Sequence, residues 1–242
     1  MSASLPIDVI CEDGPLIAVN KASGVITQGA PHGVVSLVEM VKEYLKQKYE
    51  KPGAVYLGVP HRLDRPVSGV VVFSRNSKCA ARLSEQFAQR RVKKTYLAVL
   101  ERPPVEPESD LHDWIYRIPD HSRVEISDAG NPDAKEARLH YRTLAVSKGK
   151  ALVEIDLGTG RMHQIRIQFS SRGYPIVGDE QYGARFPFPG LTGPLDRRNA
   201  PIALHACRLK LFHPIRYDEL TITAPVPASW GCFGLDFEPM GT

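Results

Sequence analysis

The chain has 242 residues, enough for one large domain or two small ones, and size scaling lets it bury roughly three quarters of its unfolded surface. Hydrophobic residues make up 43% and charged residues 24%; with no apolar run near the roughly 18 residues of a membrane helix, this excludes global disorder and helical membrane spanning. Thirty-one Lys and Arg against 27 Asp and Glu give a net charge of +4, a mild bias towards polyanionic partners. Cys11, Cys79, Cys207 and Cys232 are dispersed without a Cys-x-x-Cys pair, so neither structural zinc nor a disulfide framework is expected. The N-terminal Met1-Ser-Ala-Ser-Leu-Pro-Ile-Asp lacks the basic-then-apolar order of a secretory signal, which predicts a cytoplasmic protein.

No internal repeat or heptad array interrupts the chain, which reads as a single domain over 1–242. Leu16–Asn20 has a buried-strand pattern, and Lys21-Ala-Ser-Gly24 follows as a turn where backbone could approach a ligand. A helix is predicted from Ser36 to Tyr49, with apolar residues at helical spacing and Ser36 and Glu39 placed for a capping box. A strand is expected at Val55–Val59, then the polar cluster His61-Arg-Leu-Asp-Arg65, then Gly69 feeding a strand Val70–Phe73. Ser77–Arg91 carries Ala80, Leu83, Phe87 and Ala88 on one helical face, and Lys93-Lys94 open a strand, Thr95–Leu100. Across 82–94, Arg82, Arg90, Arg91, Lys93 and Lys94 face only Glu85, a local positive stripe.

Residues 101–135, rich in Pro, Asp and Glu, read as an irregular surface insertion with one or two short strands around Trp114 and Val124. Arg138–Val146 and Ala151–Leu157 alternate around Ser147-Lys-Gly-Lys150, which predicts a hairpin of two half-buried strands. The segment after Gly160 fits either period; we read it as a helix that Gly173 could cap, placing His163 and Arg166 as i,i+3 neighbours. Residues 182–201 read as a long loop, and Ile202–Leu211 and Leu220–Thr223 as closing strands. Strands and helices do not alternate strictly, so the expected class is α+β with a mixed, largely antiparallel central sheet flanked by helices and loops.

Asp64 is the most informative carboxylate. It sits in a glycine-bounded loop between Arg62 and Arg65. Burial raises a carboxyl above its ordinary value of about 3.9, while a neighbouring guanidinium lowers it, so arginines let a secluded aspartate stay charged as nucleophile or general base. The bland alternative is an Arg–Asp ion pair tying a loop. Leu157-Gly-Thr-Gly-Arg161-Met-His163-Gln-Ile-Arg166 is a second constellation, in which small residues end a strand and donors suited to an anion follow. Tyr96 beside Lys94 is either a stacking platform or a core tyrosine. His205, Cys207 and His213 lie in a buried-strand context that favours hydrogen-bonded structural roles, and no metal is assigned.

Together these segments resemble the RluA-type pseudouridine synthases, which isomerise uridine in ribosomal and transfer RNA. The resemblance rests on Ile17-Ala-Val-Asn-Lys-Ala-Ser-Gly24, His61-Arg-Leu-Asp-Arg-Pro-Val-Ser-Gly69, Lys94-Thr-Tyr96, and Leu157–Arg166 with Gly178-Asp179 and Tyr182-Gly183; Leu204-His-Ala206, His213-Pro214 and Ala224-Pro225 complete it. Ala22 stands where the family usually has Pro, and Val67 where it usually has Thr. Many relatives carry an N-terminal S4 RNA-binding domain; here the first motif begins almost at once, as in a stand-alone catalytic domain.

The resemblance implies that Asp64 is the nucleophile, attacking C1′ of the ribose or C6 of uracil. It makes Arg166 the partner of Asp64 and Tyr96 the residue that stacks on the target uracil and helps remove the C5 proton. Base flipping is implied, with Arg62 filling the gap or holding the strand. Arg65, Lys94, Arg161 and His163 become substrate-binding candidates. No cofactor is consumed, the partner is rRNA or tRNA, and a monomer is expected. A non-catalytic RNA-binding relative is the alternative.

Overall fold

Ten strands and three α-helices carry the chain among the residues described, 7–190 and 200–235, in a computed structural model. In order they are β1 (Asp8–Asp13), β2 (Leu16–Lys21), α1 (Leu37–Lys48), β3 (Ser68–Ser74), α2 (Ser77–Ala88), β4 (Lys93–Leu100), β5 (Glu108–Arg117), β6 (Val124–Ser127), β7 (Lys135–Ser147), β8 (Lys150–Leu157), α3 (Gln164–Ser170), β9 (Leu204–Phe212) and β10 (Glu219–Thr223). The ladders β1–β2, β2–β3, β9–β10, β4–β8, β8–β7, β7–β5 and β5–β6 are all antiparallel, so the expected α+β class with a largely antiparallel sheet holds. No helix of the described residues is long and apolar enough to cross a membrane. The chain folds as two compact units, one formed by the residues up to Val92 with Ala206–Pro225, the other by Lys93–His205 with the residues from Val226 on.

In the first unit the strands run β1-β2-β3-β9, with β10 paired to β9. β2 and β3 are buried on nearly every residue and match from Leu16 opposite Ser74 to Lys21 opposite Gly69. Leu83 of α2 packs with Leu16, Val70, Val72, Leu209 and Ile222 in one core. Fully burying one such leucine contributes about 1.5–3 kcal/mol. α1 starts with the anticipated capping box: the Glu39 N–H donates to the Ser36 hydroxyl, and the Ser36 N–H donates to the Glu39 carboxylate. α2 starts at Ser77 as expected, capped where Asn76 Oδ1 accepts the Cys79 N–H at 2.9 Å, and ends at Ala88, short of the expected Arg91, as Arg90 turns to φ 57°.

Two expectations fail in this unit. The strand β1 has no counterpart in the sequence reading because Asp-Val-Ile-Cys-Glu-Asp carries little apolar alternation; its ladder to β2 makes it a strand. Val55–Val59 is not a strand. It makes one bridge, Gly58 to Ser74, and Pro60 two residues on has no N–H with which to continue the ladder.

The second unit orders its strands β4-β8-β7-β5-β6. The hairpin between β7 and β8 turns through Lys148 and Gly149, both at positive φ (49° and 74°), the geometry that matches the twist of the flanking strands. β7 alternates in burial as expected, but β8 is buried continuously over 151–155 because it lies between β4 and β7. The supposed surface insertion at 101–135 is largely sheet. β5 pairs with β7 over eight residues, yet only Leu111 and Ile115 of its ten side chains are buried, so its hydrogen bonds and not its apolar content make it a strand. Residues 191–199 of the anticipated long loop lie outside the described residues.

Gly69, at φ 121°, opens β3 where it meets β9. A Cβ there would come within 2.3 Å of the Ala206 carbonyl oxygen and 2.6 Å of its nitrogen. Gly69→Ala is therefore expected to lower unfolding stability by roughly 2–4 kcal/mol, read from urea denaturation, and an unchanged midpoint would refute the close approach.

Candidate active site

The Asp64 loop of the first unit is held by the segment that follows β2. Lys21, with no solvent exposure, donates from its ammonium to the carbonyls of Ala22 (3.0 Å), Val25 (2.8 Å) and Arg65 (3.1 Å). Gly24 adds its N–H to the same Arg65 carbonyl at 2.8 Å, and the Gly24 carbonyl accepts from Arg65 Nε at 3.1 Å. Ser23 donates to the Pro66 carbonyl at 2.7 Å. Thr27 takes both backbone groups of Leu63, donating to its carbonyl at 2.9 Å and accepting from its N–H at 3.3 Å. The turn closes on itself where the Val67 N–H donates to the Asp64 carbonyl at 3.1 Å.

These bonds assign functions that the sequence reading missed. Lys21-Ala-Ser-Gly24 is a strap across the catalytic-candidate loop. Ala22 contributes only its carbonyl, and Val67 is buried as an apolar side chain, so neither departure from the family pattern leaves a polar group unmet. His61 is an anchor: its ring stacks on Phe87 with centroids 4.5 Å apart, and its Nε2 accepts the Val72 N–H at 3.0 Å. Arg62 is exposed, and Asp64 and Arg65 are half-buried.

Burial pulls the Lys21 ammonium down to about 7; the charge of Asp64 pulls it back up and that of Arg65 pushes it further down. An ammonium has three donors and here three carbonyls, so losing the proton leaves one oxygen facing a lone pair.

In the second unit, β4 carries Lys94 and the half-buried Tyr96, the latter opposite Ile155 of β8. Lys94 Nζ donates to the Thr159 carbonyl at 3.4 Å, and a Cβ on Gly160 would lie 3.1 Å from it, so the glycine gives the lysine room. The turn after β8 is pinned by Gln164: its Oε1 accepts from the Thr159 hydroxyl (2.6 Å) and the Arg161 N–H (3.0 Å), and its Nε2 donates to the Arg138 carbonyl (3.0 Å) and to Gln168 (3.0 Å). Arg161 is tied through Nε to the Glu136 carbonyl at 2.9 Å. The helix read after Gly160 is real, as α3. His163 stands just before it at φ 51°, in the left-handed region, and so is not on the helical face with Arg166.

Arg166, 3% exposed, is gripped edge-on by Asp179, with Nε to Oδ2 and Nη2 to Oδ1 both at 2.7 Å, and by Gln181 Oε1 at 2.9 Å. Its guanidinium lies over the Tyr182 ring, 4.8 Å from the centroid. Tyr182 Oη accepts the Val124 N–H at 3.0 Å and lies 2.8 Å from His163 Nδ1. Burial pushes the Tyr182 phenol up, so it stays protonated and able to donate. Asp179 and Tyr182 act through side chains the sequence reading had placed only inside a motif. Both His205, edge-on to Trp230, and His213, whose Nδ1 accepts the N–H groups of Ile215 and Arg216, are structural, as expected.

A model of the family described as RNA pseudouridylate synthase matches residues 15–171. The chain is 35% identical over 233 residues to ribosomal large subunit pseudouridine synthase D of Xylella fastidiosa, an alignment covering 92% of this chain and 67% of the relative. It is 32% identical over 228 residues to the synthase of the same description from Nitrosomonas europaea, covering 93% and 63%. The chain thus spans about two thirds of the length of these curated relatives. The solved structure of human RNA pseudouridylate synthase domain containing 4 shares the fold, with a TM-score of 0.75 at 24% identity, covering 95% of this chain and 94% of that one. Sheet, motifs and relatives define a class of isomerases that act on RNA. The chain belongs to the RNA pseudouridylate synthase family.

Two outcomes follow from the buried charges. In the unfolded chain Lys21 holds its proton up to about 10.5 and in the folded one up to about 7, so between those values the unfolded state binds more protons. The stability of the native protein relative to Lys21→Met is expected to rise with pH across that window, by at most about 1.4 kcal/mol per pH unit, and to be flat below it. Urea unfolding at pH 6, 7, 8 and 9 reads this, and parallel curves would show that the ammonium keeps its proton. Asp179→Ala removes the carboxylate that takes two hydrogen bonds from the buried Arg166 guanidinium and is expected to cost about 3–5 kcal/mol in the same assay.

Proposed function

We propose that this chain isomerises a uridine of RNA to pseudouridine with Asp64 as the nucleophile, and that the RNA is ribosomal or transfer RNA. The observation that carries the reading is the strap on the Asp64 loop: five side chains or backbone groups between Lys21 and Thr27 hold the loop's carbonyls and N–H. A loop fixed on both sides of a carboxylate is preorganised to aim it. Two of the similar curated proteins are described as acting on the ribosomal large subunit, which favours that RNA over tRNA.

In the reaction the N1–C1′ bond breaks, uracil turns, a C5–C1′ bond forms, and N1 takes up a proton in exchange for the one C5 loses. Asp64 attacks C1′ or C6 to release the base, and the bond it forms is broken again as the C5–C1′ bond forms or after it, returning the free carboxylate. Tyr96 stacks on the uracil and helps take the C5 proton, and Arg166 keeps the nucleophile charged once RNA has displaced water. The target base leaves its stack to be reached, and the exposed Arg62 takes its place or holds the strand. Arg65, Lys94, Arg161 and His163 contact phosphates and sugar, so their removal weakens binding and flattens its salt dependence. The enzyme acts as a cytoplasmic monomer, with both compact units of residues 1–242 belonging to its catalytic domain.

Tritium at C5 of uridine is lost to water when C5 forms the new bond. Purified protein is expected to release tritium from unmodified ribosomal large-subunit RNA, and Asp64→Asn to reduce the rate at least about 10³-fold while still binding. Binding by both proteins with release by neither would establish an RNA-binding relative without catalysis.

A further inference from the structure

We propose that the turn between β9 and β10, together with the exposed side of α2, is a second RNA contact away from Asp64, where the Tyr217 ring stacks on an unpaired base and Arg82, Arg90 and Arg91 take phosphates; this goes beyond the reading above and rests on RNA being the substrate. Tyr217 lies at φ 64°, in the left-handed region, and is 61% exposed. A bulky residue there carries a backbone penalty that glycine escapes, and a ring left in water recovers little of it by burial. The backbone of the turn is closed without the ring. The Tyr217 N–H donates to the His213 carbonyl at 3.0 Å, the His213 N–H donates to the Asp218 carbonyl at 2.8 Å, and His213 Nδ1 accepts the N–H groups of Ile215 and Arg216 at 3.3 and 3.1 Å. Buried Gln86 ties α2 to the strand before the turn, donating to the Phe212 carbonyl at 2.8 Å and accepting the Phe212 N–H at 2.9 Å.

What surrounds the ring suits a polyanion. Arg82 donates from Nη1 to the Pro214 carbonyl at 2.7 Å, and its guanidinium lies 5.2 Å from the centroid of Tyr217; the Arg91 guanidinium lies 5.2 Å from that of Phe212. The carboxylates of this face have partners already. Asp13 takes two hydrogen bonds from Arg216, at 2.9 and 2.8 Å, Asp218 faces Arg216 Nε, Glu219 pairs with Lys210 at 2.6 Å, and Glu85 accepts from Gln89 at 3.0 Å. Among the described residues no carboxylate pairs with Arg82, Arg90 or Arg91, so three positive charges remain for a partner. Guanidinium planes and an aromatic face beside uncompensated charge are the elements that hold single-stranded RNA. The exposed large apolar side chains of the turn are Ile215 and Tyr217, too few for the apolar centre of a protein interface. The turn also lies at the opposite end of β3 from the Asp64 loop. Arg216 reaches Asp13, Asp13 pairs with Leu16, and Leu16 pairs with Ser74, where β3 ends, whereas the loop precedes Ser68, where it begins. At about 3.3 Å per residue β3 puts roughly 20 Å between them, a span that a folded RNA bridges and an isolated nucleotide does not.

Tyr217→Gly removes the ring and gives the backbone the residue that its φ favours. In filter binding with unmodified large-subunit RNA it is expected to raise Kd about five- to thirtyfold, with a urea-unfolding midpoint equal to or above the native one, while Tyr217→Phe binds within about twofold of native. Arg90→Gln combined with Arg91→Gln is expected to reduce the slope of log affinity against log salt by roughly 1.5. Large-subunit RNA transcribed with 4-thiouridine and irradiated with the native protein is expected to crosslink at Tyr217. A ring that only packs would lower the unfolding midpoint in Tyr217→Gly and leave the affinity of the folded protein native, and that result overturns the proposal. Native affinity at a native midpoint overturns it too and leaves the exposed ring to a protein partner. Should Tyr217→Gly not fold, an unchanged salt slope in the arginine variant or the absence of a crosslink at Tyr217 overturns it. A native chain that binds RNA and releases no tritium refutes the catalytic reading alone; one that binds no RNA refutes this contact.

Discussion

A lysine removed from water must find an oxygen for each of its three N–H bonds, and at Lys21 all three oxygens belong to backbone carbonyls. Two of them, on Ala22 and Val25, lie in the segment just after β2; the third, on Arg65, lies in the Asp64 loop. The ammonium therefore converts the desolvation it suffers into a specification. The chain after β2 must curl back on itself, and the loop must present its Arg65 carbonyl to the same point. β2 and β3 bring the two segments together, since Lys21 pairs with Gly69 at the end of their ladder. The energetic gain of such a site is small or negative against an apolar replacement. What it supplies is a single permitted arrangement of the loop and a positive charge near Asp64.

The same logic appears in the second unit with a different cation. Arg166 is almost as buried as Lys21, and its donors are met by side chains instead of carbonyls. The choice follows from shape. A guanidinium is a flat fork that two carboxylate oxygens match, whereas an ammonium is a point that carbonyls can surround from any direction. The flat ion also has a face, and Tyr182 covers it. Each unit thus holds a buried, hydrogen-bonded cation within the strings that the family resemblance rests on.

How much of this was legible in the sequence divides along the same lines. The helices α1 and α2 were legible because the apolar face repeats over three turns, and the Ser36–Glu39 capping box is local. The hairpin at Lys148-Gly149 was legible for the same reason: its chemistry lies within the turn. β1 and β5 were not, because their stability comes from partners far along the chain. Of the ten residues in β5 two are buried, and no period can be read from two. Asp64 and Arg166 could be picked out as candidates from dense, polar, glycine-flanked strings, and Tyr96 from the basic residues just before it. Lys21 and Thr27 could not, since a lysine and a threonine after a strand look like ordinary solvated turn residues until the loop they bind is folded against them.

The two histidines that accompany the arginine-rich strings show why a string alone cannot assign roles. His61 and His163 each sit two or three residues from an arginine or aspartate of the candidate site. His61 is fixed by a ring stack on Phe87 and by accepting a strand N–H on Nε2, an arrangement that uses the imidazole as an acceptor in the fold. His163 is met on the opposite nitrogen by a buried phenol, and its backbone is held in the left-handed region. An imidazole whose Nε2 receives a strand N–H has that atom committed to holding the loop. One whose Nδ1 lies 2.8 Å from a buried phenol has that nitrogen tied to the core of the second unit. The division of labour is written in which nitrogen each ring offers, and that is decided by Phe87, Val72, Val124 and Tyr182, residues that lie outside both strings.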